Sequence, residues 1–558
     1  MQRDLDQLTG RTHDVLVVGG GIYGLTIAYD AAQRGLSVAL IERADFGSGA
    51  SFNHLRTIHG GLRYLQTLDV ARARESAVER RVLATIAPHA VRPLPFALPL
   101  YRSLTRGVTA MRAGFLLDRL VAYDRNRHVA SPHRLPAGRV VSGDALLRFP
   151  GLHRRGVAGA AVWYDYVTTE ADRLTFSFAI AAARHAAVLA NHVEAVALVA
   201  DGKRATGVRA RDVLGGREVE IAARVTVNAT GAGVDALLEP VGASLRIPML
   251  KVMNLVTRRD AGEAALGGRT AAGRSLFLVP WRGRAVFGTW QSTALCRPED
   301  TGIVEADVVS FIRDINEAFP SLDLRPADVT LIHRGIVPAV AADGGYSLEG
   351  HEQVRDHARD GSTGPGAPRA PGGIDGLVSV VGAKYTTARG VAERVTDRLF
   401  PKLQRPSVPC RTAVTALPGG DVPDMAAAIA EARRDHDLEV PVDTIPHLVA
   451  AYGSRYRDVL ASCADRPDLR TRLADDSPVI GAELVWAARH EMALTLADAV
   501  IRRTPLGALG YPGDMAVDRA ADLVGGELGW SSDRRRTEVA ALRRFYSAIF
   551  ALVKPSLS

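Results

Sequence analysis

Cysteine is almost missing from this chain: 558 residues hold three, Cys296, Cys410 and Cys463, far apart and with no Cys-x-x-Cys pair. An odd, scattered set excludes a disulfide framework and a clustered zinc site, no metal is expected, and a reducing, cytoplasmic setting follows. Long apolar runs are missing too. No window approaches about 18 uninterrupted apolar residues, which excludes a bilayer-spanning helix. The opening residues MQRDLDQLTGRTHD are polar, so no signal peptide is expected. Concentrated charge is the third absence. The net +8 comes from 69 basic and 61 acidic residues that form no tail or stripe, so nucleic acid is not an expected partner. An anionic small molecule, or loose contact with a membrane surface, fits that modest excess.

What is present begins near residue 13. The run DVLVV (14–18) is short and apolar, as in a buried parallel strand. IYGLTIAYDAAQRG then carries apolar residues at helical spacing, with Gly35 placed to end the helix, and SVALIE (37–42) is a second strand. Between the first strand and the helix, Gly19-Gly20-Gly21-Ile22-Tyr23-Gly24 fits G-x-G-x-x-G. Gly19 permits the tight turn, Gly21 lets a pyrophosphate approach the backbone, and Gly24 lets the helix lie against the sheet. Glu42 ends the second strand, where a carboxylate accepts hydrogen bonds from a ribose diol, and Arg43 follows it. With strand, helix and acid in register, the motif predicts a dinucleotide site; a glycine-rich helix start with no ligand is the bland alternative.

The glycines do not distinguish NAD from FAD. Three features favour FAD: the motif lies at the extreme N-terminus, a second apolar strand (VTVNATGAG, with Ala229 and Gly231) comes two hundred residues later, and a third (VSVVGAK, with Gly382) sits near 380. This is how a flavin domain assembled from separate segments reads. SLFLVPWRGRAVFGTW (275–290) reads as a hairpin around Arg-Gly-Arg, residues 359–376 as a Gly/Pro-rich loop, and the alanine-rich text beyond 410 as helices. The expected class is α/β. A Rossmann-like FAD-binding domain takes 10–90, 185–245 and 376–402, and an inserted α+β substrate domain with antiparallel sheet takes 91–184 and 246–358. A loop follows at 359–375, then a helical C-terminal domain at 403–558. No internal repeat is evident.

The segments VVGGGIYG, IHGGLRYLQ, RVTVNATGAGVD, VVGAKYTTAR, CRTAVTALPGG and AARHEMALTLADAVIRRTPLG are long and ordered. Together they make the chain resemble the FAD-dependent glycerol-3-phosphate dehydrogenases and oxidases over nearly its whole length. The resemblance implies oxidation of a secondary alcohol of a small polyol phosphate, with electrons passed to quinone or oxygen. It is compatible with a homodimer and with peripheral contact at the inner face of the cell membrane, although no amphipathic anchor stands out in the sequence. It makes His59 the base, since a neutral imidazole takes a hydroxyl proton near neutrality. It gives Arg63 and Lys384 to the substrate phosphate as catalytic-site cations, with Tyr64 beside them, and Gly60, Gly61 and Thr386 to the flavin's surroundings. Without it, His59 reads as a packed histidine, Arg63 as a surface cation and Lys384 as a strand-end lysine.

The sequence also departs from that family. Where the family has Gly-Val-Arg-Pro, with a phosphate-binding arginine, this chain has Gly335-Ile336-Val337-Pro338. Arg334 lies three residues back, on the opposite face of an extended strand, and His333, on the matching face, is at best partly charged. Trp290 stands in the family's Gly-Thr-Thr-Asp-Thr stretch, Phe52, Asn53, His54 and Leu55 replace small hydroxyl residues, and Tyr23 replaces an asparagine. These changes open an alternative substrate, a less anionic sugar, polyol or cyclitol whose ring stacks on Trp290 or Phe52. A flavin-carrying partner protein without turnover is the reading of another class.

Overall fold

The computed structural model describes residues 1–558 except 104–106, 144–145, 147–148, 150–155, 343–344, 349, 359–372, 423, 436–438, 463 and 554–558. Most of the expected 359–375 loop, and Cys463, therefore lie outside the described residues.

The strand His13–Val18 is hydrogen-bonded in parallel to Val38–Ile41 on one side and to Glu218–Asn228 on the other. Leu377–Val381 continues the parallel array beyond Glu218–Asn228, and Val188–Ala190 extends it beyond Val38–Ile41. The stretches Val15–Val18, Val38–Ile41 and Leu377–Val381 are buried on both faces, as is the end of Glu218–Asn228 from Val225 on, which is why they read as apolar runs rather than alternating ones. The expected three-segment flavin-type sheet is thus assembled, from strands two hundred and then one hundred and fifty residues apart. The helix Ile22–Gln33 lies across it, buried along almost its whole length, and Gly35 at φ +81° closes the helix as anticipated.

A second sheet of nine strands holds Arg92–Tyr101, Val157–Val167 and the run from Met249 to Pro338, with the two-residue strand Thr57–Ile58 at its edge. The 275–290 hairpin is present, its strands Ser275–Trp281 and Arg284–Gln291 joined through Arg282 and Gly283 at φ 51° and 71°. Positive φ at both central residues is the turn whose twist matches the flanking strands. Beyond Leu377–Val381 no strand follows among the described residues, one Arg472–Ile480 bridge aside, and the C-terminal part is helical.

Two pieces fall on the other side of the expected domain boundaries. The helix Ala171–Arg184 buries Leu174, Phe176, Phe178 and Ile180 in the core around Ile22–Gln33, and the strand Gln353–Asp356 adds antiparallel to Leu377–Val381 at the edge of the dinucleotide sheet. Sequence order suggested otherwise because the helix directly follows a strand of the second sheet and Gln353–Asp356 follows the separate two-stranded sheet of Val340–Ala342 and Gly345–Ser347.

Candidate active site

The glycine turn is shaped by close approach. A Cβ on Gly24 would lie 1.8 Å from the Gly19 carbonyl oxygen, and one on Gly19 (φ +106°) would lie 2.6 Å from that of Ala229. The helix that starts at Ile22 is capped by Gly21 with no side-chain hydrogen bond; the Ile22 amide donates to Ser51 Oγ at 2.9 Å. Its positive end therefore meets no carboxylate of its own. Glu42 sits beside the turn and accepts from the Gly20 amide at 2.6 Å and the Ala44 amide at 2.9 Å. Burial raises its carboxyl, and those two amides oppose the rise. A helix start met by the neutral Ser51 hydroxyl, with a half-buried carboxylate one strand over, is the donor and acceptor set that a pyrophosphate and a ribose require, so the residues fit FAD. Ala229 and Gly231 (φ +60°) lie at the end of Glu218–Asn228, and Arg43 is exposed. Tyr23, the departure inside the turn, donates to the Lys384 carbonyl at 2.9 Å and ties the turn to the third segment; a Cβ on Gly382 would lie 2.4 Å from its hydroxyl.

Strand register positions His59. Thr57 pairs with Val167 and Ile58 with Tyr166, so the next residue, His59, comes opposite Asp165. The imidazole Nδ1 lies 3.8 Å from Asp165 Oδ2, and Nε2 lies 2.6 Å from Thr57 Oγ1. Asp165 also accepts from the Gly60 amide at 2.7 Å, from Trp163 Nε1 at 3.1 Å and from the Arg80 guanidinium. Burial alone would raise the Asp165 carboxyl, but Arg80 and His59 outweigh it and hold it below the usual carboxylate range. An ionised Asp165 favours the ring proton on Nδ1, which makes Nε2 the accepting nitrogen, here hydrogen-bonded by the Thr57 hydroxyl. The backbone of His59 donates to Thr386 Oγ1 at 3.2 Å, and half of the side chain is exposed. Gly60 and Gly61 have a packing reason here: a Cβ on Gly60 would lie 2.0 Å from Arg80 Nη1, and one on Gly61 (φ +82°) 2.7 Å from Ser76 Cβ.

Arg63, Tyr64 and Lys384 do come together. Arg63 donates to the Tyr64 hydroxyl at 3.0 Å, and Lys384 Nζ lies 4.5 Å from the Tyr64 ring centre while donating to Ser76 Oγ. Burial, then the opposing effects of Glu352 and of Arg72, bring the Lys384 ammonium down to about 8.

Trp290 and His333 go elsewhere. Trp290 packs with Phe52 in the core shared by the second sheet and the C-terminal helices, the two being 7% and 3% exposed. His333 is fully buried between Phe52 and Trp281, 3.4 Å from Arg56 Nη2. Burial, then Arg56, holds its ring well below the ordinary histidine value, so it brings no charge to an anion. Register in Val329–Pro338 runs unbroken from Leu331 to Pro338, so no bulge turns Arg334 towards the face of Val337.

The residues that sequence reasoning missed are Asp165, Arg80, Thr57, Ser51 and Ser76. Asp165 had a signal: a single acid inside the apolar run GAAVWYDYV, which burial forbids without a partner. The others are ordinary residues of a polar helix, a loop or, for Thr57, a two-residue edge strand. A further buried group, Asp45, His192 and Asp498, gathers ligand-type atoms within 4.8 Å. Arg503 makes two hydrogen bonds to Asp45, at 2.6 and 2.8 Å, Asn191 adds one at 2.8 Å, and His192 pairs with Asp498 at 2.9 Å. That network already balances its charge, and it clamps the C-terminal helices to the loop after Glu42.

The family described as FAD dependent oxidoreductase matches residues 14–398, and the C-terminal domain of alpha-glycerophosphate oxidase matches residues 410–535. A Synechocystis protein named glycerol-3-phosphate dehydrogenase is 30% identical over 522 residues, covering 90% of each chain. One of the same name from Mycobacterium leprae is 32% identical, covering 94% of this chain and 87% of that one. The solved glycerol-3-phosphate dehydrogenase from Bacillus halodurans, complexed with FAD, shares the fold at a TM-score of 0.75 and 22% identity, covering 99% of this chain and 97% of that one.

Proposed function

Because the chain belongs to the FAD dependent oxidoreductase family and carries the alpha-glycerophosphate oxidase type of C-terminal domain, we propose that its substrate is a small polyol phosphate whose secondary alcohol it oxidises, as in glycerol 3-phosphate to dihydroxyacetone phosphate. The chain is an FAD-dependent enzyme, and the proposal concerns the substrate and the residues. One observation carries it: the stretch from Thr57 to Tyr64 bears a carboxylate-held imidazole at one end and a group of cations at the other.

The bound flavin supplies a hydride acceptor. The turn at Gly19–Ile22, Glu42 and Ser51 would hold its dinucleotide, with Thr386 beside His59. His59 Nε2 takes the proton of the substrate hydroxyl while Asp165 stabilises the imidazolium that forms, and Arg80 keeps Asp165 ionised. Arg63 and Lys384 hold the phosphate by charge-assisted hydrogen bonds, with the Tyr64 ring as floor. The less anionic substrate loses support, since its stacking faces, Phe52 and Trp290, are spent in the core. His59→Asn should keep its flavin and lose about two to four orders of magnitude in turnover on glycerol 3-phosphate; wild-type turnover would remove His59 from the mechanism.

Peripheral membrane contact also has a supporting observation. No described helix is long and apolar enough to cross a membrane. The helix Val108–Val121, however, exposes Leu116 (62%) and Leu120 (66%) on the same face as Arg112 and Arg119, with Tyr123 (75%) just beyond. Apolar side chains between arginines suit an anionic lipid surface, where a quinone acceptor would be dissolved. Flotation with phosphatidylglycerol vesicles should carry the protein up and leave a Leu116→Asp/Leu120→Asp variant behind; equal flotation of both rules that helix out.

A further inference from the structure

Tyr23 stands in the first turn of the helix Ile22–Gln33, directly after the residue whose amide meets Ser51, and it is 9% exposed. Its hydroxyl leaves that helix and donates to the Lys384 carbonyl at 2.9 Å, joining residues 361 apart in sequence. Gly382 makes the room: a Cβ there would lie 2.4 Å from the Tyr23 hydroxyl oxygen and 2.7 Å from the ring carbon that bears it. A phenol delivers this hydrogen bond from a stiff ring with two side-chain torsions, so it sets a distance as well as a contact.

The loop between the strand Leu377–Val381 and the helix Ala388–Leu403 is held at four successive residues. The Lys384 carbonyl accepts from Tyr23, the Tyr385 hydroxyl meets Thr175 Oγ1 at 2.9 Å, Thr386 Oγ1 accepts from the His59 amide, and Thr387 Oγ1 donates to Glu352 at 2.6 Å. Of the four, the Tyr23 bond is made to Lys384 itself, and at the backbone. It therefore fixes where the side chain starts, while Ser76 Oγ receives the ammonium at the other end. The groups that face this ammonium are Arg72, Glu75 and Ser76 on the helix Val70–Ile86, Arg63 and Tyr64 in the turn before it, and Glu352. In such surroundings a shift of about 1 Å changes both the reach of the ammonium and its contact with water.

We propose that Tyr23 is a positioning residue of the substrate site: from the dinucleotide turn it fixes the backbone of Lys384, and with it the place where the ammonium meets a substrate phosphate. This rests on the reading of Lys384 as a phosphate-binding group. One side chain then spaces the cofactor's helix from the anion's cation.

The test compares flavin-loaded wild type with Tyr23→Phe, which keeps the ring and removes the donor. It measures kcat and KM on glycerol 3-phosphate, the inhibition constant of inorganic phosphate, and the acetylation of Lys384 by acetic anhydride across pH, read by peptide mass. In Tyr23→Phe, KM and the phosphate constant should rise together by about three- to thirtyfold, the range for losing a buried hydrogen bond, with kcat within about threefold and the flavin band unchanged. The acetylation midpoint, near pH 8 in wild type because burial brings the ammonium down to about 8, should move up as the loosened side chain meets water. On a Lys384→Met background, Tyr23→Phe should change KM by less than about twofold, since the residue it acts through is gone. The same rise on both backgrounds makes Tyr23 a general support of the fold and overturns the proposal, as do wild-type constants with an unmoved midpoint. Should Tyr23→Phe fail to fold or to hold flavin, Tyr23→Asn decides: raised constants with a raised midpoint support the role, and wild-type values overturn it. A wild-type protein that neither turns over glycerol 3-phosphate nor responds to inorganic phosphate overturns the substrate reading and the site that Tyr23 serves; the acetylation midpoint, which needs no substrate, tells that failure from a failure of the anchor.

Discussion

Replacing Asp165 with asparagine separates two jobs that the structure gives one carboxylate. The side chains of Asp165 and Arg80 are 4% and 6% exposed, so the substitution leaves a guanidinium buried without its counter-charge. Breaking such a pair from one side costs about 3–5 kcal/mol. Asparagine still accepts from the Gly60 amide, but its NH2 faces the Trp163 indole N–H, donor against donor, so the substitution does not fall at the lower end of that range. The second job is chemical. An asparagine no longer stabilises an imidazolium at His59 or sets its tautomer, which costs about two to four orders of magnitude in turnover. The pH dependence carries a sign. The folded carboxyl is held below its unfolded value of about 3.9. Its contribution to stability is therefore complete above that value and is lost as pH falls through the folded pKa, so the wild-type advantage over Asp165→Asn should persist from neutrality down to about pH 4 and then shrink. Thermal denaturation across pH gives the first quantity, and anaerobic single-turnover reduction of the bound flavin gives the second. Loss of stability with turnover intact would leave Asp165 as a partner of Arg80 only and refute its role behind His59.

Three further outcomes follow from the geometry. Loss of the Lys384 proton near pH 8 removes attraction for a dianion, so KM for glycerol 3-phosphate should climb as pH rises past about 8 and Lys384→Arg should flatten that climb; a flat wild-type KM to pH 9.5 contradicts a Lys384 that both holds the substrate and loses its proton near 8. Gly24→Ala forces a methyl group against the Gly19 carbonyl and should yield protein without flavin, measured as the ratio of flavin to protein absorbance. Arg503→Met strips Asp45 of its main partner, and should cost about 3–5 kcal/mol and weaken flavin retention through the loop that follows Glu42; tight flavin in a fully stable variant would make the clamp irrelevant to that loop.

Much of this was legible in the residues. The βαβ unit showed because Gly19, Gly21 and Gly24 answer to steric contacts that few other residues satisfy, and because doubly buried strands leave continuous apolar runs. The group of Arg63, Tyr64 and Lys384 showed only through resemblance, since nothing local says that residues 63 and 384 meet. The polar partners stayed hidden for the same reason. Asp165 reaches His59 by strand register, and Arg80 reaches Asp165 from a helix whose charged sequence looks solvent-facing. Phe52 and Trp290 looked like ring-stacking faces because sequence gives no hint of which side of a sheet is covered; the C-terminal helices cover it. The exposed face of Val108–Val121 is seen only in the structure, where the helix buries only Phe115 fully.

The most direct measurement adds glycerol 3-phosphate and, separately, glycerol to the flavin-loaded protein under anaerobic conditions and follows the flavin absorbance band. Stoichiometric bleaching by the phosphorylated alcohol, with dihydroxyacetone phosphate formed in equal amount and no bleaching by glycerol at the same concentration, is the predicted result. Bleaching by glycerol or a cyclitol but not by glycerol 3-phosphate would contradict the account.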